Sequence, residues 1–155
     1  MEQVNITFLD IPTTLKALYG LMGIDIPKLS KPEYGFGINT IVKNIVPTAA
    51  FEESFPKKNL ADLPTVDFLH LLAGDVHYDE ECILINDKIY HWKVSFASNW
   101  RNIIKFCDTI YEDIEKVYTF VTEGDYIILF PKLRKMSLYT HNNWHAQICF
   151  PTPVR

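Results

Sequence analysis

CILINDKIYHWKVSFASNWRNIIKFCDTIYEDIEKVYTFVTEGDYIILFP, residues 82–131, is the stretch whose reading decides the fold. It reads as strand, turn, strand, amphipathic helix, strand, turn, strand. The helix over 100–115 is its clearest object. Trp100, Ile103, Ile104, Cys107, Ile110, Tyr111 and Ile114 recur at the three-and-four spacing that gathers them on one face. Ser98 or Asn99 is placed to cap it. Before the helix the apolar period is two. With Asn86-Asp87 as a two-residue turn, both residue types tolerating positive φ, Ile83, Ile85, Tyr90, Trp92, Val94 and Phe96 share one sheet face. Cys82, Leu84, Ile89, His91, Lys93 and Ser95 then share the other. After the helix, 117–122 and 126–130 form a second hairpin across Glu123-Gly124, and Pro131 ends the strand.

Downstream, Lys132, Arg134 and Lys135 make a short basic connector, and 136–140 with 144–150 form a third hairpin turning at Asn142-Asn143. Upstream, Val4, Ile6 and Phe8 alternate as in a short strand. Pro12-Thr13 opens a helix with Leu15, Leu18, Tyr19 and Met22 on one face, capped by Gly23. Residues 24–37 carry Pro27, Pro32, Gly35 and Gly37 and read as an ordered loop. Helical spacing over 38–46 ends at Pro47, and 48–55 reads as a further helical turn. Asp62-Leu63-Pro64 opens another helix, with Val66, Leu69, Leu72 and Ala73 buried and Gly74 at its end.

The expectation is an α+β fold in one domain over 1–155: N-terminal helices over 1–74, then an antiparallel sheet of about six strands (three hairpins) over 82–155 with one amphipathic helix inserted after the first hairpin. Helices on one face of such a sheet are the usual α+β solution. In element order alone, the pattern is similar to nuclear-transport-factor-2-like folds, whose cone-like sheet wraps around helices. That likeness implies a pocket in a curved sheet, as in an enzyme or small-ligand carrier, with Tyr90, Trp92, Tyr126, Tyr139, Trp144 and His145 at its mouth.

The composition is ordinary except for its rings: 48% apolar, 22% charged, but 14% aromatic, an excess that marks either an aromatic core, which must take most of the rings, or an interaction surface. The net charge of −4 divides unevenly. Residues 1–81 hold twelve acids against six bases, and 82–155 hold seven against nine. This excludes the basic footprint of a nucleic-acid binder and leaves an acidic face suited to a basic partner. Cys82, Cys107 and Cys149 are too few and too scattered for a disulfide framework. The first residues lack a basic-then-apolar leader, and no apolar run approaches the roughly 20 residues that span a bilayer. A cytoplasmic protein is therefore expected, without membrane association.

Catalytic and metal motifs are weak. His141 and His145 are four apart but flank a turn. Asn142 stands where the helical zinc signature needs Glu. His70 and His77 have Asp75, Asp79 and Glu80 close by in sequence with nothing to fix their geometry, and His91 lies beside Cys82 across the expected hairpin without a third group. There is no nucleophile elbow and no phosphate-cradling glycine loop, so no cofactor or metal is expected.

The acidic clusters carry the functional expectation. Asp75, Asp79, Glu80 and Glu81 form one, and Asp108, Glu112, Asp113 and Glu115 the other. Asp108 and Glu112 share a helix face, and acids near a helix C-terminus oppose the macrodipole, each effect costing a few tenths of a kcal/mol. Charge kept where it is unfavourable suits a basic partner, with Phe106 and Tyr118 as aromatic anchors. The plainer alternative is a solvated helix face with Phe106 tucked at its edge. The leading expectation is a protein-binding inhibitor, such as an immunity protein, antitoxin or phage-encoded inhibitor. It would neutralise a basic partner such as a nuclease toxin, and homo-oligomerisation is left open.

Overall fold

The computed structural model describes residues 5–37, 40–41, 50–54, 64–86, 93–111, 125–139 and 145–151. The elements run β1 (Thr7–Asp10), α1 (Ile11–Met22), a 3-10 helix (Pro32–Phe36), β2 (Ala50–Ser54), α2 (Thr65–Ala73), β3 (Glu81–Asn86) and β4 (Val94–Asn99). Then come α3 (Trp100–Lys105), continued by a π-helix over Phe106–Tyr111, and β5 (Tyr126–Phe130), β6 (Lys135–Tyr139) and β7 (His145–Cys149). The strands form one seven-stranded antiparallel sheet in the order β1-β4-β3-β5-β6-β7-β2. A helix-first α+β chain with a helix inserted after the β3–β4 pair is thus the architecture the periodicities predict.

Caps explain where α1 begins and ends. The Asp10 carboxylate accepts from the Thr13 N–H at 2.9 Å, and hydrogen bonding by the Thr13 side chain, with this backbone bond second, holds the Asp10 carboxyl below its ordinary pKa of 3.8. At the other end, Gly23 takes φ 73°, and the N–H groups of Gly23 and Ile24 return to the carbonyls of Gly20 and Tyr19. This is a Schellman closure, and it requires glycine's left-handed freedom. Within the 24–37 loop, Phe36 is buried and the Tyr19 hydroxyl donates to the Gly35 carbonyl at 2.6 Å.

The sheet is covered on both faces. Cys82, Leu84, Phe96, Tyr126, Ile128, Phe130 and Tyr139 pack with α2 and α3, around Phe68, Leu72, Trp100, Ile103 and Cys107. Ile83, Ile85, Ile127, Leu129, Met136, Leu138 and Ile148 pack with α1 and the 3-10 helix, around Leu15, Leu18, Tyr19 and Phe36. Successive strand residues point to opposite faces, so these are two cores back to back. Helices on one face only, the expected arrangement, is therefore corrected.

Three further expectations change. The first hairpin pairs Cys82 with Ser98, Ile83 with Ala97 and Leu84 with Phe96, so Asn86-Asp87 is not its two-residue turn. In this register Phe96 lies on the Leu84 face. With both faces apolar, alternation cannot fix which residues face each other. Second, residues 50–54 form an edge strand against β7 instead of a helical turn. Ala and Glu favour helix intrinsically, but pairing with an open strand edge overrides propensity. Third, β5 is hydrogen-bonded to β3 on one edge and β6 on the other, and its hairpin is with β6, across residues 131–134. The segment 117–124, including the proposed Glu123-Gly124 turn and Tyr118, lies outside the described residues. So does most of the helix expected over 38–46, of which Thr40 and Ile41 are helical.

The 131–134 turn is held by Arg134. Its φ is 52°, a left-handed conformation that costs a non-glycine residue about 1–2 kcal/mol. Its guanidinium donates to the Pro151 carbonyl at 3.0 Å and to the Leu21 carbonyl of α1 at 3.3 Å, and its own carbonyl accepts from Phe150 N–H at 2.7 Å. A cation there also complements the C-terminal end of the α1 dipole. At the end of α2, Lys135 Nζ donates to the Ala73 carbonyl and Gln147 Nε2 to the Leu71 carbonyl. These bonds satisfy two of the carbonyls a helix C-terminus leaves open.

Two stability measurements check this account. Ile128→Ala and Leu129→Ala, on opposite faces and both fully buried, should each cost about 2–5 kcal/mol in denaturant unfolding. A sheet buried on one face would show one severe and one mild loss. Arg134→Ala keeps the left-handed strain and loses the clasp, whereas Arg134→Gly loses the clasp but relieves the strain. The glycine variant should therefore be the more stable of the two, by about 1 kcal/mol.

Candidate functional site: an acidic lip beside a sheet-end cleft

The connector between α2 and β3 is built into the N-terminus of α3. A helix leaves its first N–H groups without internal partners. Here Trp100 N–H donates to the Glu80 carbonyl at 2.8 Å and Arg101 N–H to the Tyr78 carbonyl at 2.9 Å. Asn102 N–H donates to Asn99 Oδ1 at 2.9 Å, so Asn99 is the cap that the sequence suggested. The Arg101 guanidinium lies over the Tyr78 ring, 5.6 Å from its centroid, and the Tyr78 ring meets His70 edge-on at 5.8 Å. The acid-rich connector is thus fastened to the organising helix by backbone and rings.

Fastened this way, the connector presents its acids. Asp75 and Asp79 are exposed, as are Glu81 at the start of β3 and the Tyr78 ring. Asp79 N–H donates to His77 Nδ1 at 3.2 Å, and the Asp79 carboxylate lies 3.6 Å from the same nitrogen. Glu80 differs from its neighbours. It is half-buried, and its Oε1 is out of water with no hydrogen-bond partner among the described residues. Burial, reinforced by the Glu80 charge, pushes the neighbouring Cys82 thiol far above its ordinary value, so it is an inert core group.

Asp79 and Glu81 stand on the lip of a cleft of about 540 Å³ at one end of the sheet. Its walls come from β1 (Thr7), β3 (Cys82, Ile83), β4 (Ala97, Ser98, Asn99) and the turn after β5 (Pro131). Ser98 Oγ donates to the Asn5 carbonyl at 2.5 Å and accepts from Asn102 Nδ2 at 3.0 Å, joining the cleft wall to α3. Lys132 Nζ lies 3.5 Å from Glu81 Oε2, an exposed pair. Sequence reasoning missed this cleft. Its residues come from four separated segments and meet only because the strand order places β1, β4, β3 and β5 side by side.

The expected site residues are not all brought together. Asp108 is exposed, but it lies eight residues along the helix from Trp100, about 12 Å of rise. Arg101 is exposed and Lys105 half-exposed on the turns between. Two cations therefore separate Asp108 from the connector acids. Phe106, expected as an aromatic anchor, is a core residue: 5% exposed, with its ring centroid 4.8 Å from that of Phe96. Glu112, Asp113 and Glu115 lie outside the described residues, as do His91 and His141. Among the described residues no group of three or more His, Cys, Asp and Glu side chains is placed to hold a metal ion, and no helix is long and apolar enough to cross a membrane.

Of the residues expected around a pocket in a curved sheet, Tyr90, Trp92 and Trp144 lie outside the described residues. Tyr126 and Tyr139 stack at 6.1 Å and are buried beneath α2, where the Phe68 ring meets Tyr139 edge-on at 4.8 Å. His145, opposite Tyr139, is 4% exposed, and burial lowers its pKa from 6.5. No known protein family, no characterised protein and no solved structure matches the chain.

The His145 shift has a measurable consequence. The folded state holds the imidazole neutral, while the unfolded chain takes up a proton near pH 6.5. The stability associated with neutral His145 is therefore fully present above pH 6.5 and is lost as pH falls through the lower folded-state value. Denaturant midpoints measured from pH 7.5 downward should show this decline in the parent protein. His145→Gln, which cannot titrate, should lack that part of it.

Proposed function

We propose that this chain is a small protein-binding inhibitor, of the immunity-protein, antitoxin or phage-inhibitor kind, that neutralises a basic protein partner by occluding it. The observation that carries the reading is the connector. Its acids and its exposed Tyr78 are held in place by hydrogen bonds to the N-terminus of α3, so they are ordered before any partner arrives. An interface that is already ordered spends less binding energy on immobilising its own side chains and loop. The acids attract a basic surface from a distance, and Tyr78 beside Arg101 supplies residue types enriched at the centres of protein interfaces. A nuclease-type toxin has the required charge. The free thiols of Cys82, Cys107 and Cys149 suit a reducing compartment, and we place the protein in the cytoplasm.

The acidic helix end belongs to the same proposal as a second, separate charge group, with Asp108, Glu112 and Asp113 as its members. The test uses the partner recovered by affinity capture from the native host. Reversing Asp75, Asp108, Glu112 and Asp113 to Lys should slow association by about tenfold at low salt, and the difference should shrink as salt is raised. A partner whose association rate is indifferent to these reversals, or one that is itself acidic, removes the mechanism.

A further inference from the structure

The cleft below the connector carries a more specific inference, which rests on the inhibitor reading. Asp79 and Glu81 both line it, while Glu80 between them is half-buried with its Oε1 out of water. Asp79 lies in the turn over 77–80, which Glu80 N–H closes by donating to the His77 carbonyl at 3.0 Å, and Glu81 opens β3, so both carboxylates border the one cleft. Behind them the cleft changes character. Ile83, Ala97 and Pro131 give it apolar surface, and Thr7, Ser98 and Asn99 give it hydroxyl and amide groups. Its volume of about 540 Å³ lies within the range of roughly 300–1,000 Å³ in which proteins hold ligands, enough for a long side chain and the backbone on either side of it.

Charge selects the occupant. Lys132 approaches Glu81 at 3.5 Å, but both side chains are at least 66% exposed. An exposed pair of this kind contributes about 0–1 kcal/mol and gives way to a better-placed cation. We infer that the cleft receives an extended segment of the basic partner, seating one arginine between Asp79 and Glu81 with its aliphatic stem along Ile83, Ala97 and Pro131. Arginine fits this mixture better than lysine. Its planar guanidinium engages carboxylates through two parallel bonds, is weakly hydrated, and keeps its charge while its stem covers apolar surface.

The test is a titration of the isotope-labelled full chain with acetyl-Ala-Arg-Ala-amide, followed by amide chemical shifts. The neutral citrulline counterpart serves as the control. The arginine peptide should move the amides of Thr7, Asp79, Glu81, Ser98 and Asn99 saturably, and the citrulline peptide should not. Asp79→Asn combined with Glu81→Gln should weaken binding at least fivefold. Lys132→Met, which removes the competing cation from an exposed turn, should strengthen it about twofold, in keeping with the small worth of the pair it breaks. Absence of saturable shifts overturns the inference, as do shifts centred on Asp75 or Asp108, equal binding of the citrulline peptide, or indifference to the double substitution. The partner-association test reverses other residues, so the two ideas fail separately. Loss of peptide binding with the charge-reversal effect intact removes the cleft and leaves the inhibitor. The opposite result leaves a cation-binding cleft without the steering mechanism.

Discussion

The structure depends on β5 being enclosed from every side. All five of its residues, Tyr126 to Phe130, are buried; its edges are hydrogen-bonded to β3 and β6, and its faces are covered by the two cores. Backbone N–H and C=O groups buried this deeply have to be paired, and only a strand with neighbours on both sides achieves that. Enclosure on both faces also requires helices above and below the sheet. The chain meets this by placing α1, which follows edge strand β1, on one face and α2 and α3 on the other. The connector between α2 and β3 then leads from that second face into the sheet, and its Tyr78 and Glu80 carbonyls meet the N-terminus of α3.

Much of this was legible in the residues. The apolar stripe Trp100, Ile103, Ile104 and Cys107 and the Gly23 and Gly74 stops follow from periodicity and turn chemistry and are present; β6 pairs with β7 as expected, but with Tyr139 opposite His145, one residue off the register that a two-residue turn at Asn142-Asn143 would give. Two-sided burial was also written there, in the unbroken runs Ile83-Leu84-Ile85 and Tyr126 to Phe130. Continuous apolar strands, as opposed to alternating ones, are the mark of a sheet covered on both faces. What the sequence could not supply was register, since a strand apolar on both faces pairs equally well after a one-residue slip. Nor could it reveal the pairing of 50–54 with β7, where a helix-prone segment is drawn into a sheet by a partner about a hundred residues away. The cleft was illegible for the same reason: no local signal links Thr7, Ile83, Ser98 and Pro131.

The acids were visible in the sequence, but their arrangement was not. Counted along the chain they make two clusters on one imagined face. In space, Arg101 and Lys105 intervene between the connector and Asp108. Coulomb attraction between exposed charges fades over a Debye length of roughly 8–10 Å at moderate salt. Acids separated by about 12 Å of helix with cations between them act as two modest fields. Phe106 shows the companion error. It lies off the narrow helical stripe, but the face that packs on β4 is wide enough to take it in.

The bonds from Trp100 and Arg101 to the connector carry a dynamic consequence. These two amide hydrogens can exchange with solvent only when the connector lifts from the helix, so their exchange rate is a clock for connector opening. Whatever binds the acidic lip without unseating it slows that clock, because ligand affinity for the closed form adds directly to the free energy of opening. The helix that organises the fold thereby reports, through its first two peptide groups, on the occupancy of a surface it does not itself form.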